Sequence, residues 1–169
     1  MAYNFENAEG AETRTRKLNE LKASVDVMVA PVSPLVNLSM VATPPVDQAT
    51  IATFTKVTVM DTIAVTRGTI SASATTDNVT IGVAGIYEIA PSVNVASPTS
   101  SELVFTLFVD GVQSGEEVYL QGQGATKPAF VGGVHFATLT AGQVIDLRVK
   151  SATSALASFF SCGLAIKKI

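Results

Sequence analysis

From Thr53 onward, apolar and polar positions alternate in short runs, the period-2 signature of strands with one buried face. The runs are FTKVTVMDTIAVT, TISASAT, NVTIGV, GIYEIAPSVNVA, ELVFTLFVD, EEVYLQG, AFVGGVHFATL, QVIDLRVKS and ASFFSCGLAIKKI. Between them stand Asp77-Asn78, Ala84-Gly85, Asp110-Gly111 and Ala141-Gly142, residues suited to tight turns. Short strands at this spacing, with no helical period among them, predict an all-β antiparallel sandwich of the jelly-roll kind. One run contains a proline, Pro91, which has no N–H for a ladder and predicts a bulge or an interruption of pairing.

The faces of these strands differ. In VIDLRVKS, Asp146, Arg148 and Lys150 lie opposite Ile145, Leu147 and Val149, as expected where one face is wet. In LVFTLFV, Phe105, Leu107 and Val109 face one way and Val104 and Phe108 the other. In SFFSCGLAI, strict alternation puts Phe159, Gly163 and Ala165 opposite Phe160, Leu164 and Ile166. A sandwich core covers one face of a strand, so the second apolar face predicts contact with another copy, at Tyr87, Val104, Phe108, Phe160 and Leu164.

The N-terminal region follows a different pattern. Charges crowd together at Glu6, Glu9, Glu12, Arg14, Arg16, Lys17, Glu20 and Lys22. Glu12–Arg16 and Arg16–Glu20 have i,i+4 spacing, and Leu18, Leu21 and Val25 share one side of a helix over about residues 10–25. So short a helix needs a surface to lie against. Residues 27–46, with four prolines, read as an extended polyproline-like arm; composition alone also fits a disordered tail. The expected organisation is an arm over 1–52 and a jelly roll over 53–169.

Composition narrows the function. Of 169 residues, 47% are hydrophobic and only 15% charged, so much of the surface should be covered by copies or a partner. The net charge of −3 gives no basic footprint for nucleic acid. The uncharged stretch 27–46 is long enough for a membrane, but its prolines argue against a spanning helix, and Met1 opens an acidic segment unlike a secretory leader. The reading is a soluble protein with no membrane partner.

Candidate chemistry is sparse. His135 is the one histidine and Cys162 the one cysteine, too few nitrogen and sulfur ligands for a zinc site. Each reads better as a packed residue than as a catalyst. Glu116 and Glu117 are adjacent, so on a strand they point to opposite faces and form no acid–base pair. The loop GQGATKP lacks the spacing and following helix of a phosphate cradle. A calcium site would draw on Asp110, Glu116 or Glu117, which lack EF-hand spacing. Two sequons, at Asn37 and Asn78, carry little meaning without a leader. The expectation is a non-enzyme with no metal or cofactor.

The elements GIYEIAPSVNV, LFVDGV, HFATLTAGQVIDLRV and the terminal FFSCGLAI, in this order, make residues 55–169 resemble the tumour necrosis factor and complement C1q jelly rolls. That resemblance implies a homotrimer about an apolar three-fold axis. Without a leader or a collagen repeat, the chain looks more like trimeric jelly rolls of phage virions than like secreted cytokines. The function this implies is a capsid decoration (cement) protein on the virion surface, made in the host cytoplasm. It would bind the major capsid protein through Arg14, Arg16, Lys17, Leu18, Leu21 and Val25 of the arm. The alternative is the receptor-binding tip of a tail or head fibre, whose loops would read a glycan.

Overall fold

Most of the runs predicted from Thr53 onward form antiparallel strands, those at 54–66 and 129–139 each breaking in two, and the sheet begins earlier than expected. The computed structural model describes residues 14–22, 33–98, 101–153 and 155–169. The chain divides into two units, Met1–Val32 and Ser33–Ile169. In the first, residues 14–22 form a helix, α1, whose residues are all exposed; its one ion pair is Arg16–Glu20 at 3.6 Å. Glu12 and Val25 lie outside the described residues.

The strands of the second unit begin with β1 (Leu35–Ala49), β2 (Thr55–Lys56), β3 (Thr62–Arg67), β4 (Ser71–Ser73), β5 (Asn78–Thr80) and β6 (Gly85–Ser97). They continue with β7 (Glu102–Val109), β8 (Val112–Gln113), β9 (Val118–Gln121) and β10 (Gly124–Gly132). The last three are β11 (His135–Leu139), β12 (Val144–Lys150) and β13 (Leu156–Lys168). One sheet has the order β10-β6-β13-β1-β3, with β11 also on β6. The other runs β4-β5-β12-β7-β8, with β2 on β12 and β9 on β7.

β1 corrects the expected arm and the boundary at 52/53. It lies inside the first sheet, between β13 and β3. The segment VNLSM was already a strand pattern: Val36, Leu38 and Met40 are buried, while Asn37 and Ser39 between them face outward. The prolines that suggested polyproline stand where a strand tolerates them. Pro34 precedes β1, and Pro44-Pro45 fall in the register shift between Val41 and Val46.

The core fills the space between the sheets. Tyr87, Ile89, Val93, Val95, Phe159 and Leu164 from one sheet face Leu103, Phe105, Leu107, Ile145, Leu147 and Val149 from the other. Phe105 and Phe159 meet edge to face, with ring centroids 6.4 Å apart. Here strict alternation misplaced one ring. β13 bulges at Phe160, since Phe159 pairs with Val95 and Ser161 with the next residue along β6, Asn94. That extra residue reverses the parity, so Phe159 points inward with Leu164 and Ile166.

The second sheet covers its own outer face. Phe108 is packed edge to face by Phe54, with centroids 5.5 Å apart, and its ring is capped by Arg148 at 4.0 Å. Arg148 is held there by Asp146 (2.6 Å), and Lys150 lies 4.2 Å over Phe54 while pairing with Glu117 at 2.9 Å. Bonds from Tyr119 and Lys150 hold the Glu117 carboxyl below its ordinary pKa. Long cationic side chains with apolar stems thus lie over the apolar positions of β7. Val104 and Phe108 are buried within one protomer, so their burial requires no second copy.

Tyr87 and Leu164 are likewise fully buried core residues. The Tyr87 hydroxyl donates to the Val83 carbonyl at 2.7 Å, tying the strand to the turn before it. At Gly85 the Lys168 side chain lies across the strand, its Cε 2.3 Å from where a Cβ would stand. Pro91 pairs with Leu164 on one side of β6, and on the other its carbonyl accepts the Gly133 N–H at 3.4 Å. Its missing donor therefore faces the break at Gly133-Val134, where β6 exchanges β10 for β11 as its partner.

Asp77 sits at φ 46° in the β4–β5 turn, a conformation that Asp and Asn tolerate. It is buried, and Oδ1 accepts the Met60 N–H at 2.8 Å. Burial raises its pKa above 3.8, against the opposing Met60 bond and the charge of Lys56. The folded state then holds this proton more tightly than the unfolded chain, so stability falls as pH rises through 3.8 towards the folded value. Asp77→Asn keeps the acceptor and removes the charge. Its urea midpoint should exceed the parent's at pH 7, and the gap should close below about pH 3, where Asp is protonated in both states.

Candidate interaction surface

The outer face of the first sheet is built very differently. Register fixes which residues meet across it. One row runs Phe130–Asn94–Ser161–Val41, the next Gly132–Ser92–Gly163–Ser39–Thr62, and the third Ala90–Ala165–Asn37–Val65. No charged residue stands in any of the three. Charges appear only beyond them, as in the row Phe136–Glu88–Lys167–Leu35–Arg67.

Glycine, serine, alanine and asparagine make the middle of this face a shallow floor. Its flatness follows from close approach: a Cβ at Gly163 would lie 2.9 Å from Ser92 Oγ. One edge instead carries large apolar side chains. Phe130 on β10 is 70% exposed and Phe136 on β11 is 59% exposed. Phe130 folds back over Gly132, where a Cβ would meet its ring at 2.8 Å. At the far side of the floor, Val41 is 85% exposed. An aromatic edge beside an uncharged floor is the composition of a protein contact.

Of the five residues expected at a contact between copies, only Phe160 belongs to this face; it is half-buried at the bulge. Sequence reasoning missed Phe130, Phe136 and the floor, whose signal was a run of small outward residues on three strands. Of the expected arm residues, Arg14, Arg16, Lys17, Leu18 and Leu21 share α1, with Leu18 68% and Leu21 65% exposed. His135 faces inward, half-buried, on β11. Cys162 is buried, and burial pushes its thiol up to about 12, far from nucleophile character at neutral pH. Asp110 is held by its turn, at φ 51° with Oδ1 accepting the Val144 N–H at 2.8 Å. Among the described residues, no cluster of three or more His, Cys, Asp or Glu is placed to hold a metal. No helix among them is long and apolar enough to cross a membrane.

No protein-family model matches the chain, and no curated protein matches it. Solved structures do. Murine APRIL at pH 8.0 superposes with a TM-score of 0.55 at 19% identity, over 81% of this chain and 99% of that one. The structures at pH 8.5 and pH 5.0 give 0.54 at 19% identity and 0.52 at 13% identity, over 80% and 81% of this chain and 99% of theirs. The fold is therefore a tumour necrosis factor-like jelly roll, the fold of APRIL. At this identity the likeness concerns the fold alone.

Proposed function

We propose that the chain is a structural, non-enzymatic homotrimer that serves as a decoration protein on a phage capsid. The observation that carries the self-association is the outer face of the first sheet, whose Phe130, Phe136 and Val41 no described residue covers. Its aromatic edge and its floor are complementary patches at different places on one protomer. Each protomer's edge set on the next protomer's floor makes a heterologous contact, and a rotation of one third of a turn per copy closes it as a ring. The tumour necrosis factor-like fold favours three as the number of copies.

The capsid step rests on α1. Leu18 and Leu21 are exposed on a helix too short to persist alone, beside Arg14, Arg16 and Lys17. Three such helices on one trimer make linked contacts with the major capsid protein, so weak single contacts add to high avidity. On this reading the protein is made in the host cytoplasm and resides on the virion surface.

The test is binding of the purified protein to heads of the parent phage. Expected are submicromolar binding and greater resistance of the heads to heat. The double variant Leu18→Asp/Leu21→Asp should keep the oligomer and lose at least about a hundredfold in head affinity. Undiminished binding by that variant rejects α1 as the anchor. Adsorption to host cells without head binding replaces the decoration role by that of a fibre tip.

A further inference from the structure

Between the two sheets, beside the break that faces Pro91, lies a cleft of about 690 Å³ that meets the outer face at Gly132 and Phe136. Its floor is core: Val93, Phe105, Leu107, Val131 and Leu147, all buried, with Pro91 at the edge. Its polar side chains include Ser114, Glu116 and His135; residues 132–136 run along the strand break, and Val118 also lines the cleft. Beyond the backbone pairing of His135 with Ile89, its imidazole makes no hydrogen bond or ion pair among the described residues.

The opposite wall is pinned in place. The N–H groups of Ser114 and Gly115 donate to the Leu107 carbonyl at 2.9 and 3.2 Å, and Thr106 Oγ1 donates to the Gly115 carbonyl at 2.9 Å. A Cβ at Gly115 would lie 3.1 Å from Leu107 Cβ, so this loop sits directly on β7. The space is thus shaped before anything enters it, and its volume falls within the small-molecule range of roughly 300–1,000 Å³.

We propose that this cleft binds a small, mostly apolar molecule carrying a hydroxyl head. Facing sheets stand about 10 Å apart, so the gap between them admits one layer of side chains. An alkyl chain or a flat ring fits that layer; a helix of about 10 Å diameter does not. The head follows from the polar groups. An imidazole offers an N–H and a carboxylate only accepts, and a hydroxyl satisfies both at once. A carboxylate head would meet Glu116 with like charge.

The probe is N-phenyl-1-naphthylamine, followed by fluorescence on the full-length protein. One saturable site per chain is expected, with a dissociation constant of about 1–100 μM. 1-Decanol should displace the probe at least about tenfold more effectively than decanoate. A Cβ at Gly133 meets nothing within 4 Å, so Gly133→Phe should keep the fold and weaken the probe at least about tenfold. Val118→Phe, also in the lining, makes the same test should Gly133→Phe fail to fold. His135→Ala should weaken 1-decanol severalfold and leave the probe unchanged. No saturable binding, or binding that survives the folded filling variant, overturns the site. Equal displacement by decanoate overturns the hydroxyl head. Loss of the probe in Phe130→Ser with retention in Gly133→Phe puts it on the outer face and overturns the cleft.

Discussion

Removing residues 1–50 should abolish folding, whereas removing residues 1–32 should leave a cooperatively folding protein. The longer deletion takes β1 from between β13 and β3. Val36 and Leu38 are completely buried and Met40 nearly so, and burial of three such side chains is worth about 5–9 kcal/mol. That is comparable with the whole stability of a domain, about 5–15 kcal/mol. The deletion also leaves the backbone of β13 unpaired along one edge and β3 without its ladder partner. The shorter deletion ends at the boundary between the two units and touches no strand. Far-ultraviolet circular dichroism and urea melts of both truncations check this. A cooperative melt of the 1–50 deletion at near-parental stability would show that β1 is dispensable.

Ala165→Arg should dissociate the proposed trimer while each protomer stays folded. Ala165 stands in the uncharged row between Ala90 and Asn37, its side chain directed away from the core. On an isolated protomer the added arginine reaches water, so the fold loses little, within about 0.5 kcal/mol. At an edge-on-floor contact the same side chain props the surfaces apart or buries an unpaired charge. Leaving a charge unpaired costs about 3–5 kcal/mol, which weakens association by at least about a hundredfold per contact. Native mass spectrometry and light scattering at micromolar concentration should show trimer for the parent and monomer for the variant. By contrast, Phe108→Ala alters a ring already covered by Phe54 and Arg148 and should leave the trimer standing. A trimeric Ala165→Arg protein would move the contact off this face.

The two experiments probe different links between sequence and structure. Where hydrophobic alternation was unbroken, as in VIDLRVKS, the strand and its two faces were legible in the sequence. The turns were legible for the same local reason: Asp110-Gly111 adopts φ 51° and 79°, which Asp and Gly supply at low cost. Prolines misled where they stood at bulges and strand ends. VNLSM was a strand pattern flanked by Pro34 and Pro44-Pro45, and it read as part of an arm.

The sequence by itself determined the antiparallel all-β class, most strand positions, the turn residues, the helix near the N-terminus and the interruption at Pro91. Each follows from interactions within a few residues, through side-chain period, backbone dihedral preference or a missing N–H. Only the tertiary structure decided which apolar faces are covered. Arg148 and Lys150 lie over Phe108 and Phe54 because β12 pairs with β7 at a set register. The bulge at Phe160 turned Phe159 inward, and register aligned Ser92, Gly163 and Ser39 into one floor. Register and bulges are settled by contacts between residues far apart in the chain, and a one-residue change in either moves a side chain to the opposite face.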